Sequence, residues 1–176
     1  GSHNVTSFTE RMIGAARLDV QVYEEVEADT GATGQAMVVV LLSSLAGGIG
    51  TVGLGAGLSV VLLAVSLSLV AWVTWATLTY FIGTRLLPEP HTSADVGELM
   101  RTTGFAQSPG LLRIVGMFLP GVGPFVVNIV SIWMLVTMTI AARQALDYTS
   151  TMRAVGVVLV GWLTYLLLFL VLLAVA

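Results

Sequence analysis

Leu58-Ser-Val-Val-Leu-Leu-Ala-Val-Ser-Leu-Ser-Leu-Val-Ala-Trp-Val-Thr-Trp-Ala-Thr-Leu-Thr-Tyr-Phe-Ile-Gly83 runs without a single charged side chain. As an α-helix a stretch of this length exceeds the ~30 Å of bilayer hydrocarbon, so it can span with some tilt. A soluble domain has no use for such a segment, because about a quarter of its residues are normally charged. Here 10% are charged and 56% hydrophobic, and the mean hydropathy is +0.95. The sequence therefore predicts an all-α, polytopic membrane helix bundle.

Working outward from that segment, four more apolar stretches follow the same logic. They give expected spans at about 32–50, 58–83, 104–119, 125–142 and 154–176, making residues 32–176 a five-span transmembrane domain. The first span has small residues Ala32, Ala36, Ser43 and Gly47 on one face, a pattern that permits close helix contact. The glycine-dense run Ala46–Gly57 is expected to make the first turn, and Pro120-Gly-Val-Gly-Pro124 another. The third stretch is the weak one: Pro109 to Leu119 holds Arg113, and eleven α-helical residues cover only about 17 Å. It must either extend back towards Gly104 or not cross fully.

Residues 1–3, Gly-Ser-His, read as the remnant of a cleaved tag. Residues 4–31 carry six of the ten acidic side chains. Phe8, Met12, Ala16, Val20, Tyr23 and Val26 recur at helical spacing, and Ser7 with Glu10 fits a capping box. This predicts one amphipathic helix that lies on the membrane surface or docks on the bundle. Thr92 to Glu98 is expected to begin a short helix in the one sizeable polar loop.

Orientation follows from arginine. All seven basic residues are arginine, at positions 11, 17, 85, 101, 113, 143 and 153. With five crossings every arginine-bearing segment faces one side. The positive-inside rule makes that side the cytoplasm and leaves the carboxyl terminus outside.

Several chemistries are excluded by composition. There is no cysteine, so no disulfide, thiolate metal site or thiol nucleophile. Without lysine there is no Schiff base or P-loop lysine, and with only His3 and His91 there is no histidine pair for a metal. Nothing points to a cofactor, to nucleic acid or to catalysis. The candidate functional residues are a polar cluster: Glu27, Asp29, Thr33 and Gln35 around the start of span one, and Arg113, Arg143, Gln144 and Asp147 elsewhere. Arg113 is the most informative, since a guanidinium at mid-bilayer costs roughly 2.5–3.5 kcal/mol on insertion scales. Two readings stand for it: snorkelling to a nearby surface, or pairing with Asp29, Glu27 or Asp147. For the rest, helix capping and structural ion pairs stand beside a ligand site.

Three stretches also resemble the Yip (Ypt/Rab-interacting) membrane protein family, and its bacterial branch in particular. They are Glu27-Ala-Asp29 leading into Ala32-Thr-Gly-Gln35-Ala, Gly104-Phe-Ala-Gln-Ser-Pro-Gly110, and Ala142-Arg-Gln-Ala-Leu-Asp147-Tyr. Eukaryotic members carry Asp-Leu-x-Gly-Pro near the first span. Here Asp29-Thr-Gly-Ala-Thr33 keeps only the Asp of that order, so small-GTPase binding is not implied. The resemblance implies five spans, a cytoplasmic amino terminus, and a non-enzymatic role in membrane organisation through lipids or a protein partner of the amino-terminal segment. It implies residence in the bacterial inner membrane. The competing expectation is a small transporter or channel with a polar site near spans one and three, and small-residue faces are compatible with a homodimer.

Overall fold

The computed structural model describes residues 6–52, 55 and 57–175, and the side chains of all of these but 50–52. Seven α-helices and no strand occur among them: α1 (Phe8–Ala16), α2 (Val20–Ala28), α3 (Thr33–Val52), α4 (Leu58–Phe81), α5 (Val96–Phe105), α6 (Gly123–Ala145) and α7 (Thr151–Val175). The four segments Thr30–Ile49, Leu58–Leu86, Gly123–Ala145 and Thr151–Val175 are long and apolar enough to cross a bilayer. The chain is a membrane protein.

The single amphipathic helix expected at the amino terminus is instead a hairpin of two. Ser7 and Glu10 form the capping box that starts α1. The helix then stops at Leu18, whose φ of 64° is left-handed, and the Asp19 amide donates back to the Gly14 carbonyl. This is the hydrogen-bond pattern of a Schellman stop. Asp19 then caps α2 by accepting from the Gln21 amide. Apolar periodicity continued through the break, but the turn chemistry overrode it. Gly14 is needed here, because a Cβ at that position would lie 2.5 Å from Val22 Cγ2 across the hairpin.

The glycine-rich turn is also corrected. α3 continues through Ala46 to Val52, so most of that run is helix; residues 53, 54 and 56 lie outside the described residues. At its far end α4 widens into a π-turn over Ile82–Leu86. The Tyr148 hydroxyl lies 2.9 Å from the Gly83 carbonyl and 2.5 Å from that of Leu87, taking up acceptors that the widened turn frees. A capping box of Asp95 and Glu98 starts α5 where expected, yet the helix runs on to Phe105.

The third apolar stretch is the main surprise. Ser108–Phe118 is a 3₁₀ helix, entered through Pro109. Its rise of about 2.0 Å per residue extends eleven residues to about 22 Å. Its course follows α3 in the same direction: Gly104 abuts Ala36, Gly110 abuts Ser43, and Arg113 abuts Gly47. At the bottom Gly123 approaches the Gly116 carbonyl so closely that a Cβ would lie 2.6 Å away. From there α6 returns antiparallel, with Thr137 Oγ1 donating to the Ala106 carbonyl at 2.6 Å.

Burial divides the bundle into two zones. The buried core lies at one end: Ala36 to Ala46 on α3, Trp72 to Thr79 on α4, Val130 to Ala145 on α6, and Ala154 to Val158 on α7, with Ala32, Ile82 and Leu146 just beyond their ends, together with α1, α2 and α5. We call this the polar end, because the charged loops gather there. Toward the other end the outer faces of α4, α6 and α7 are bare aliphatic surface, as at Leu63, Val70, Phe125, Ile132, Leu167 and Leu172. Such a zone suits lipid contact, whereas the polar end is built like a water-soluble core.

Candidate functional site: an arginine-bearing cavity beneath a polar cap

The predicted polar cluster separates into three places. The first is organised by Arg11, a residue of α1 outside the candidate set. It is only 3% exposed. Its guanidinium donates to Glu25 at 2.7 and 2.9 Å, to Asp29 at 2.9 Å and to Gln35 at 2.9 Å. Burial opposes the charge, but Glu25 and Asp29 outweigh it and raise the Arg11 pKa. One side chain thus ties α1 to α2 and to the start of α3. Asp29 also accepts from the Gly31 amide, so it caps the turn into α3 as well. Thr33 is engaged locally, donating to the Thr30 carbonyl.

The second place is acidic. Arg101, also buried, donates through Nε and Nη2 to the Val26 and Glu27 carbonyls, which end α2. A guanidinium there meets the negative end of the helix dipole. The Glu27 carboxyl is raised to about 7, first by burial and then by repulsion from Asp147, Glu98 and Glu24. A carboxyl that binds its proton more tightly in the folded state lowers stability as pH rises. The loss begins near the ordinary value of 4.5 and levels off above about 7. Glu27→Gln is therefore expected to flatten the decline of unfolding midpoint between pH 5 and 7.5 and to raise stability at the upper end. Thermal unfolding in detergent across that range would show it, and a slope unchanged by the substitution would contradict it.

Asp147 lies near enough to Glu27 to repel its carboxyl, whereas the hydrogen bonds of Arg143 and Gln144 are local. Arg143 folds back on its own loop, donating to the Tyr148 and Thr149 carbonyls at 3.3 Å. Asp147 sits exposed with φ 54°, while the Tyr148 amide reaches back to the Arg143 carbonyl. That is the left-handed stop of α6. The backbone carbonyl of Gln144 serves the same turn by accepting from the Asp147 amide.

The third place belongs to Arg113, and the expected pairing with Asp29, Glu27 or Asp147 is not found. Among the described residues no carboxylate pairs with it. It is not near the polar end either. Its Nη2 donates to the Ser43 carbonyl at 2.6 Å and to Ser43 Oγ at 3.0 Å, and its Nε to the Gly110 carbonyl. Ser43 is ten residues into α3, about 15 Å from its start. The guanidinium lies so close over Gly47 that a Cβ there would be 2.6 Å from Cζ. The small-residue face of α3 thus makes room for a cation, not only for a helix.

Arg113 lines a cavity of 560 Å³ bounded by all four long helices. Gln107, Ser44 and Ser68 share its wall with Trp72, Trp75, Trp162 and Tyr165. Trp72 donates its indole N–H to the Met100 carbonyl at 3.0 Å. The Trp75 Nε1 is buried and has no hydrogen-bond partner. A buried N–H donor without an acceptor is costly. Nothing in this wall is a proton-transfer pair or nucleophile with its base. Its chemistry is that of binding: donors and positive charge set in an aromatic, apolar surround.

Set against protein-family models, curated proteins and solved structures, the chain matches none.

Proposed function

We propose that this is a non-enzymatic integral membrane protein whose bundle holds, and can pass, a small anion with an apolar body. The observation that carries the reading is Arg113: a cation at a cavity bounded by all four long helices, with no carboxylate partner among the described residues. An intramembrane ionisable residue is kept against a standing energetic cost. Uptake of octanoate into proteoliposomes, driven by a concentration gradient, is the direct test. Uptake indistinguishable from empty vesicles, together with no octanoate binding in detergent, would sink the anion reading.

The same proposal takes five crossings, with the 3₁₀ stretch as the third. In its favour are the parallel course of that stretch beside α3 and its extra rise per residue. Orientation follows from the six other arginines, all of which belong to segments of the polar end; that end then faces the cytoplasm and the carboxyl terminus lies outside. A bacterial inner membrane suits this arrangement. Because the chain lacks cysteine, Ala94→Cys and Gly55→Cys can be labelled singly. They are expected to react with an impermeant maleimide from opposite sides, and reaction from the same side would rule out this topology.

The Yip-like reading, membrane organisation through the amino-terminal segment, is favoured by a separate feature. The packed cap of α1, α2 and α5 gives the chain a folded surface for a protein partner at the polar end. Crosslinking from the hairpin would recover such a partner.

A further inference from the structure

The amino-terminal hairpin does not sit on top of the polar end; it descends along the bundle. Arg11 meets Gln35 at the start of α3. The Phe8 ring stacks edge-on against Phe105 at 6.2 Å, where the 3₁₀ stretch is about to begin. At the other end of α1 the Ala16 carbonyl accepts from Trp133 Nε1 at 2.8 Å. Trp133 lies twelve residues before the end of α6, about 18 Å from that end. α2 then climbs back over nine residues, ending at Asp29 beside α3.

The tip of the hairpin is therefore held beside the start of the bare aliphatic belt of α6, formed by Ile129, Ile132, Trp133 and Val136. It carries apolar side chains without a protein surface over them: Ile13 is 47% exposed, Leu18 36% and Val20 38%. Arg17 and Asp19, both exposed, flank Leu18. In water this is an odd place for leucine, all the more so in a left-handed conformation that costs a non-glycine residue roughly 1–2 kcal/mol.

We infer that the Arg17-Leu18-Asp19 tip is a wedge seated in the adjoining lipid leaflet, with Leu18 and Val20 against acyl chains and the Arg17 stem turned toward the headgroups. The occupant of the exposed tip is phospholipid, because the tip adjoins a surface already bare to lipid and is fixed to it by the Trp133–Ala16 bond. The long Arg17 stem lets the guanidinium reach headgroups while its neighbours stay apolar. The hairpin then sets how the cap meets the membrane, independently of what the cavity binds.

Single cysteines at Leu18 and Val20, with Ala28→Cys as a control at the exposed far end of α2, would carry an environment-sensitive fluorophore. The full chain would be reconstituted in phosphatidylcholine–phosphatidylglycerol vesicles. The tip probes are expected to be quenched by doxyl-labelled lipids and shielded from iodide several-fold relative to the Ala28 probe. Equal iodide access at all three sites, without lipid quenching at the tip, would overturn the wedge. If Leu18→Cys fails to fold, Ile13→Cys replaces it and reads the same depth.

Discussion

Arg11→Ala is expected to destabilise the cap by about 3 kcal/mol, the size typical of removing one partner from a buried ion pair. The reason is less the lost attraction than what is left behind. Glu25 and Asp29 would face each other and the Gln35 carbonyl oxygen across the space the guanidinium now fills. Both carboxylates retain some contact with water, at 32% and 42% exposure, which places the figure at the lower end of the range for fully buried pairs. The loss should be local. α1 is joined to the rest by Arg11, by the Phe8–Phe105 contact, by the Tyr23–Ala15 hydrogen bond and by the Trp133 bond. Amide hydrogen exchange should accelerate through α1 and the start of α2, while α4 and α7 keep their protection. Arg11→Lys is expected to recover only part of the stability, since an ammonium cannot address three acceptors in the plane of a guanidinium. Uniform acceleration across all helices would mean that the cap and the bundle unfold as one.

The distance between this result and what the sequence suggests is instructive. The bilayer class, the long α4, α6 and α7, and the Ser7–Glu10 capping box were legible, because each rests on local information: length, hydropathy, or two residues three apart. Arg11 was not. Its partners lie fourteen, eighteen and twenty-four positions away, and they converge only because the chain reverses at Leu18. Nothing in the residue type at position 18 announces a left-handed turn; a glycine there would have. Arg101 was hidden for the same reason, since its acceptors are backbone carbonyls some seventy-five positions back.

The third stretch shows a different limit. Counting residues at the α-helical rise made it too short, and the count was sound for an α-helix. Pro109, Gly110 and Gly116 draw the chain into a narrower, longer helix instead. There, Gly110 sits against Ser43 so tightly that a Cβ would touch its hydroxyl, and Gly116 lies against Gly123. Hydropathy reports how much apolar length is present but not the rise per residue. Within the candidate cluster, Asp147 and Arg143 are polar residues near a helix end, and such residues close helices more often than they bind ligands. The structure assigns them that task.

Arg113→Met should separate binding from folding more sharply than any other substitution in the chain. Methionine follows the arginine stem over Gly47 with similar volume, and it removes the charge together with the donors to Ser43 and Gly110. Octanoate binding and uptake are expected to fall at least tenfold, as loss of a desolvated charge-assisted hydrogen bond of about 1.5–3 kcal/mol requires. Thermal stability in detergent should hold or rise. The Ser43 and Gly110 carbonyls belong to helical backbone, and an apolar side chain in a lipid-embedded bundle avoids the cost of a lone cation. A purely structural Arg113, stapling the 3₁₀ helix to α3, gives the opposite pair of results: a lower unfolding midpoint with octanoate binding unchanged in the folded fraction. Gly47→Ala supplies an independent check. Its Cβ would displace the guanidinium without altering its charge, so binding should weaken while the cation stays in the cavity wall. If Gly47→Ala weakens binding and Arg113→Met does not, the cavity works by shape and the charge is incidental.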